Sequence, residues 1–165
     1  MTDNGITHHT ATINGDDLHW VSAGSGGTPV LLVHGFPESW WAFRRLIPLL
    51  AAEHRVIAVD LPGFGDSAVG DFTSATMAES LCALIVHLGL GPVHLTGQDI
   101  SGTPTFRLAA RHPELLRSFT AIETTFRGTA WRRSPTWSTA AAGTSASWPR
   151  PASPNCCWPA ANANS

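Results

Sequence analysis

Short apolar runs alternate with amphipathic stretches over the first 123 residues, which predicts strands and helices in alternation. The runs VLLVHG and RVIAVD are continuously apolar, as in strands that are covered on both faces. PVHLTG and LRSFTAIE are predicted to be further strands. Residues 74–88 carry apolar side chains at helical spacing, and helices are also predicted over 38–53, with a kink at Pro48, and from about Pro104.

The first two strand-like runs, THHTATING and DLHWVSAG, meet at Asn14-Gly15, a dipeptide typical of tight hairpin turns. This hairpin predicts an antiparallel edge. The strands that follow are separated by helices, and such alternation implies right-handed crossovers. The pattern therefore predicts an α/β fold class, with a mostly parallel sheet flanked by helices.

The composition changes abruptly after Glu123. All twelve acidic residues lie at or before Glu123, and residues 124–165 contain no Leu, Ile, Val, Met, Asp, Glu or His. A segment without aliphatic residues cannot bury enough apolar surface to offset its ordering entropy. We therefore divide the chain into a folded core, 1–123, and a low-complexity tail, 124–165, that we expect to be disordered or frameshifted. A GC-rich back-translation of the tail, read from the third codon base, restores aliphatic residues at helical spacing and favours the frameshift.

The formal charge is −2 and no basic run stands out, so nucleic acid and anionic membranes are not expected as partners. No apolar run approaches the length of a membrane span, and the first residues lack the pattern of a signal peptide. The three cysteines form neither a disulfide framework nor a spaced metal motif, so we expect a cytoplasmic protein. His8 and His9 are neighbours in a predicted strand and would face opposite ways. We therefore predict no metal site, and no cofactor is expected.

The segment GQDISG places Asp99 between a predicted strand and the helix after it. Ligands bind beyond the carboxyl ends of strands in an open parallel sheet, and a side chain on a sharp strand-to-helix turn points into that cleft. Small residues at Gly97, Ser101 and Gly102 would relieve the backbone crowding of such a turn. Asp99 is thus either a nucleophile or an acid that caps the next helix, and this motif alone does not separate the two hypotheses.

A second motif, HGFP at 34–37, also follows a buried strand. Acyl transfer needs two backbone N–H groups aimed at one oxygen, one after the nucleophile and one from a loop after an earlier strand. Ile100 and Phe36 occupy those two places. Together the motifs favour a hydrolytic site over two simple turns. The residues expected to bind substrate beside them are His34, Gly35, Pro37 and Gln98.

These motifs carry a family resemblance. HGFPESWWAFRRLIPLL, RVIAVDLPGFGDS and GQDISG resemble α/β-hydrolases of the epoxide hydrolase group, in which Asp replaces the usual Ser nucleophile. The resemblance covers residues 7–123, the N-terminal part of that fold. It implies that Asp99 attacks a small-molecule epoxide to form an enzyme ester. A histidine-activated water would then attack the ester carbonyl, while the N–H groups of Phe36 and Ile100 hold the oxyanion.

The chain departs from that pattern around Asp99. Where the group often has GHDWGG, Gln98 and Ile100 replace His and Trp. Haloalkane dehalogenases hold the halide with side-chain donors that Ile100 and Phe36 do not offer, and fluoroacetate dehalogenases place Arg after the nucleophile. A serine esterase would need Ser at position 99. An epoxide hydrolase-like activity is the leading hypothesis. The alternatives are another α/β-hydrolase, such as a dehalogenase or esterase, and a non-catalytic fragment or binding module.

Other parts of the family's machinery have no counterpart in this sequence. The triad histidine comes last in chain order in this fold, but the last histidine here is His112, and no acid follows Glu123. The cap-domain tyrosines that protonate the epoxide oxygen are also missing, because the chain contains no Tyr. We therefore expect the chain to be truncated and catalytically incomplete. Its final strand is expected to leave an open sheet edge that favours self-association.

Overall fold

One six-stranded sheet organises the described residues, 5–70 and 72–124, of a computed structural model. The strands are β1 (Thr7–Ile13), β2 (Asp16–Ala23), β3 (Pro29–Val33), β4 (Arg55–Val59), β5 (Val93–Gln98) and β6 (Leu116–Ile122). Their order across the sheet is β1-β2-β4-β3-β5-β6. The pairs β3–β4, β3–β5 and β5–β6 are parallel, whereas β2 is antiparallel to β1 and to β4. The α/β fold class is confirmed, and the predictions for the tail from residue 125 onward lie outside the described residues.

The hairpin between β1 and β2 forms at the predicted turn. Asn14 and Gly15 have φ angles of 54° and 94°, both in the left-handed region. Asn and Gly adopt this region more readily than other residues, and two such residues in succession suit a tight hairpin turn. The predicted antiparallel edge is therefore confirmed.

Three α-helices occur within the described residues: α1 (Ile47–Leu50), α2 (Ser74–His87) and α3 (Gly102–Arg111). Short 3-10 turns lie at Trp40–Phe43, Asp99–Ser101 and Pro113–Leu115. The helix predicted over 74–88 is confirmed by α2, and Thr73 caps it by accepting a hydrogen bond from the N–H of Thr76 at 3.2 Å. None of the helices in the described ranges is both long enough and apolar enough to cross a bilayer.

The continuous helix predicted over 38–53 is wrong. A 3-10 turn at Trp40–Phe43 and the single-turn helix α1 are separated by residues outside any helix. Ser39 caps the first piece by accepting a hydrogen bond from the N–H of Trp41 at 3.3 Å. Pro48 lies in the first turn of α1, where its missing N–H would have no helical partner in any case. Pro48 therefore belongs to the start of a new helix and does not kink a longer one.

Two hydrophobic cores cover the two faces of the sheet. One core joins the sheet to α2 and α3, and the other joins it to the segment 40–51. Leu31 packs in the first core and its neighbour Leu32 in the second, as the two-residue period of a strand requires. Because β4, β3 and β5 are adjacent and parallel, their carboxyl ends lie at the same edge of the sheet, and the candidate site residues follow them there.

Candidate active site

Asp99 directly follows β5, at the point where the chain turns into a helix. Its φ angle is 51°, in the left-handed region that residues other than glycine rarely adopt. Asp99 is also exposed. Backbone strain of this kind, about 1–3 kcal/mol, persists only where the surrounding structure imposes it, and it is concentrated at functional sites. The turn therefore has the strained strand-to-helix geometry expected of a nucleophile position.

The two glycines that flank Asp99 allow close packing. A Cβ atom at Gly97 would collide with the side chain of Thr105, which lies in α3. A Cβ atom at Gly102 would collide with the side chain of Thr124. The prediction that small residues are required around this turn is confirmed at both positions.

Ser101 holds the turn together through its hydroxyl group. The residue is fully buried. Its Oγ donates to the carbonyl of Val33 at 2.9 Å and accepts a hydrogen bond from the N–H of Gln98 at 2.7 Å. Since this hydroxyl is buried and bonded to backbone groups of β3 and β5, Ser101 is not placed to act as a nucleophile.

The loop after β3 meets the turn after β5 at Asp99. The N–H of Phe36 donates to Oδ2 of Asp99 at 3.0 Å. Gly35 permits this approach, because a Cβ atom there would lie 2.9 Å from the Cβ of Asp99. The turn that starts at Asp99 is capped by Gln98 and Ser101. The Asp99 carboxylate is therefore directed across the cleft to the neighbouring loop, and it does not cap its own helix.

His34 lies beneath this loop, where it is fully buried. Its Nε2 accepts a hydrogen bond from the N–H of Leu61 at 3.0 Å, and its Nδ1 donates to the carbonyl of Gly35 at 2.8 Å. Burial lowers the pKa of His34, while the Gly35 hydrogen bond and the charges of Asp60 and Glu38 oppose that shift. His34 therefore positions the loop through both of its ring nitrogens, and its expected contact with substrate stays a prediction.

Glu38 links the two loops, a role that the sequence analysis missed. Its Oε2 accepts hydrogen bonds from the N–H of Gly35 and from the side-chain amide of Gln98, both at 3.3 Å. The available signal was an acid immediately after the HGFP motif. Pro37 lies between Gly35 and Glu38 in the sequence and is exposed, and the peptide bond that joins it to Phe36 is cis. Gly35 and Gln98 are thus brought together beside Asp99.

An apolar depression of about 270 Å³ lies beside the turn. Ile100, the residue after Asp99, forms part of its wall, so the depression adjoins the turn. Phe36 is 63% exposed, and its ring meets that of Phe64 edge-on at 6.1 Å. The lining residues are Phe64, Phe72, Ser74, Met77, Ile100 and Pro104. The lining is mostly apolar, so the depression suits an apolar group.

Comparisons with known proteins identify relatives of this chain. The chain is 44% identical over 113 residues to the soluble epoxide hydrolase of Corynebacterium sp. (strain C12), an alignment that covers 67% of this chain and 39% of that protein. The structure of epoxide hydrolase CorEH without ligand matches with a TM-score of 0.69 and 40% identity, over 72% of this chain and 42% of that one. Haloalkane dehalogenase DbeA from Bradyrhizobium elkani matches with a TM-score of 0.66 and 34% identity, over 72% and 42%.

The chain spans about two fifths of the length of these relatives. The family model for the alpha/beta hydrolase fold matches residues 28–150, which is more than half of the chain. The HGFP loop and the Asp99 turn both lie within the residues that this family model matches. The chain belongs to the α/β-hydrolase fold family, and its N-terminal core is epoxide hydrolase-like.

Proposed function

We propose that Asp99 is the nucleophile of an epoxide hydrolase-like reaction that forms an ester with a small epoxide. The observation that carries this proposal is the hydrogen bond from the Phe36 N–H to Asp99 Oδ2, which joins the two loops at the sheet edge. The exposed position and left-handed backbone of Asp99 support it. The resemblance of this part of the chain to epoxide hydrolases favours an epoxide as the electrophile.

The hydrogen bond distinguishes the two carboxylate oxygens of Asp99. Oδ2 is held by the Phe36 N–H, so Oδ1 is the oxygen that we propose as the attacking atom. Oδ1 forms a bond to an epoxide carbon while the ring C–O bond at that carbon breaks. The ring oxygen leaves as an alkoxide and takes a proton from water. Oδ2 becomes the ester carbonyl oxygen and stays beside the Phe36 N–H.

Hydrolysis of that ester would place negative charge on Oδ2. Water attacks the ester carbon, and the N–H of Phe36 stabilises the charge that develops. The N–H of Ile100, the residue after Asp99, is proposed as the second donor. One proton of the attacking water neutralises the hydroxide left by the first step. Oδ1 leaves as the product alkoxide and takes the other proton to give the diol, so the regenerated carboxylate contains one oxygen atom from water.

We propose that this second step is slow in the 165-residue chain. General-base help is worth about 10²- to 10⁴-fold. His34 is buried with both ring nitrogens bonded, and His112 pairs with Glu114 at 3.1 Å. The sequence contains no tyrosine to protonate the alkoxide. The ester is therefore expected to form once and persist.

A second candidate is a dehalogenase reaction at the same aspartate, which the likeness to haloalkane dehalogenase DbeA supports. An alkyl halide would form the same kind of ester and release halide. The side chains of Phe36 and Ile100 carry no N–H donor for a halide ion, which favours the epoxide.

Mass spectrometry tests both candidates on the full chain. An epoxide probe such as styrene oxide should add its whole mass to the peptide that spans residues 97–107. A haloalkane probe would add its alkyl group without the halogen. Asp99→Asn should abolish labelling, whereas Asp17→Asn, at an exposed acid in the β1–β2 hairpin, should retain it. Labelling that survives in Asp99→Asn, or that maps to another residue, would contradict the proposal.

A further inference from the structure

A group of metal-ligating side chains lies where the β1–β2 hairpin meets the loop after β4. His8 Nδ1 is 3.0 Å from His19 Nε2. Oδ2 of Asp66 is 3.9 Å from the same His19 nitrogen. All three ligand atoms lie within 4.8 Å of one another. We propose that His8, His19 and Asp66 form a binding site for a divalent transition-metal ion of the zinc class, independent of the chemistry at Asp99.

The antiparallel register brings the two histidines together. His8 pairs with Val21, and His19 lies two residues before Val21 on the same strand, so His8 and His19 share one face of the hairpin. His9 faces the other way, and its Nε2 lies 2.8 Å from Oγ of Ser22. The two adjacent histidines of β1 thus do not share a metal, but one of them meets a histidine from β2.

A buried carboxylate orients His19 for metal binding. Oδ2 of Asp60 is 2.8 Å from Nδ1 of His19, so Nδ1 donates and the Nε2 lone pair faces His8. Metal-bound histidines commonly donate their second ring N–H to a carboxylate in this way, which fixes both tautomer and ring direction. Asp60 also accepts hydrogen bonds from the N–H groups of Trp40 at 2.6 Å and Asp66 at 3.0 Å. The same carboxylate therefore fixes His19 and places the backbone of Asp66.

The separations are close to those of a tetrahedral zinc site. Zn–N distances of about 2.0–2.1 Å and Zn–O distances of about 2.0–2.2 Å place neighbouring ligand atoms about 3.3–3.4 Å apart. The two histidine nitrogens would move apart slightly, and the carboxylate of Asp66 would move closer. The Asp66 side chain is 74% exposed, so it has room to rotate.

The donor set determines the class of ion. Two imidazole nitrogens and one carboxylate oxygen suit Zn²⁺, Cu²⁺ or Ni²⁺, whereas Ca²⁺ and Mg²⁺ prefer oxygen ligands. Water would complete the coordination. A bound ion would join β1, β2 and the loop after β4, so it would stabilise the folded chain. At a zinc concentration one hundred times the Kd, we expect Tm to rise by about 5–10 °C.

Competition of the full chain with a chromophoric chelator for Zn²⁺ measures the affinity directly, and a thermal melt measures the stabilisation. His8→Ala and Asp66→Asn change exposed ligands and are each expected to weaken zinc binding by about tenfold or more. At the same zinc concentration, both should also reduce the rise in Tm by about half or more. His9→Ala is the matched control, because it removes the neighbouring histidine of the same strand and should leave both readouts unchanged.

X-ray absorption of the zinc-loaded chain should show only nitrogen and oxygen neighbours. The proposal is overturned by an absence of zinc binding in the unaltered chain, by unchanged affinity in His8→Ala, or by an equal loss in His9→Ala. A sulfur neighbour, or the same rise in Tm with Mg²⁺, would also overturn it.

Discussion

Asp60 and Asp99 each follow a parallel strand at the same edge of the sheet, but their surroundings differ. Asp60 is fully buried. Its carboxylate accepts hydrogen bonds from His19 Nδ1 and from the N–H groups of Trp40 and Asp66. A carboxylate surrounded by donors inside the protein fixes the elements that provide those donors. Asp60 therefore joins β2, the 3-10 turn after β3 and the loop after β4.

Asp99 is exposed and has a left-handed backbone. Its carboxylate accepts a hydrogen bond from the Phe36 N–H and otherwise faces the cleft. A carboxylate presented on a strained, exposed turn is placed to meet a ligand. The two aspartates occupy equivalent places in the strand pattern, so burial and hydrogen bonding distinguish the structural acid Asp60 from the proposed nucleophile Asp99.

Matched asparagine substitutions should produce opposite effects at the two positions. Asp60→Asn turns an amide N–H₂ group toward buried donors and is expected to lower the free energy of unfolding by about 2–4 kcal/mol. Asp99→Asn should leave the unfolding curve unchanged, because Asn tolerates the left-handed region, while it abolishes labelling. Urea denaturation measures the first effect. Equal destabilisation by the two variants would remove the distinction between the aspartates.

Disruption of the packing beneath Asp99 is expected to have the next largest effect on the free energy of unfolding. Gly97→Ala would push a Cβ atom into Thr105 and is expected to destabilise the chain by about 1–3 kcal/mol and to slow labelling. Gly26→Ala is the control, since a Cβ atom there meets nothing within 4 Å. Adding Thr105→Ala to Gly97→Ala should recover part of the loss through coupling of the two sites. If the double variant loses the sum of the free energies of unfolding that the two single variants lose, the contact between Gly97 and Thr105 does not hold the turn in place.

The strand pattern and the Asp99 turn could be predicted from sequence because both depend on local signals. Continuous apolar runs predict β3 and β4, since each strand packs against a core on both faces. The small residues Gly97 and Gly102 predict the sharp turn, because larger residues would collide with Thr105 and Thr124. Such features require only the spacing of residue types along the chain.

The remaining features depend on contacts between distant parts of the chain. The pairing of His8 with His19 follows from the hairpin register, and the role of Asp60 depends on donors from three different segments. The break in the predicted 38–53 helix is an exception with a local cause, the cap at Ser39 and the first-turn position of Pro48, which an apolar pattern does not reveal. The burial of His34 depends on its contact with Leu61, in the loop after β4.

A substitution at Ser101 is expected to have a smaller effect on stability, and it tests whether the role of this residue in the turn is structural or chemical. Ser101→Ala removes a buried hydroxyl and leaves the N–H of Gln98 and the carbonyl of Val33 without that partner, which should cost about 1–2 kcal/mol of stability. Labelling at Asp99 should persist in this variant. Loss of labelling in a folded Ser101→Ala variant would contradict a purely structural role for this hydroxyl.

The smallest expected effect is the dependence of stability on pH that His34 causes. Burial lowers the pKa of His34 from its usual value of 6.5. Below that pH the unfolded chain binds a proton at His34 that the folded chain does not, so stability falls as pH decreases from 6.5 toward the lowered pKa. Protonation would also prevent Nε2 from accepting the hydrogen bond of the Leu61 N–H. Thermal unfolding should show a decline in Tm between pH 7 and pH 5.5 that His34→Gln reduces. Imidazole NMR titration provides the direct measurement, and a His34 signal that titrates at or above 6.5 would contradict the expected neutral, buried imidazole.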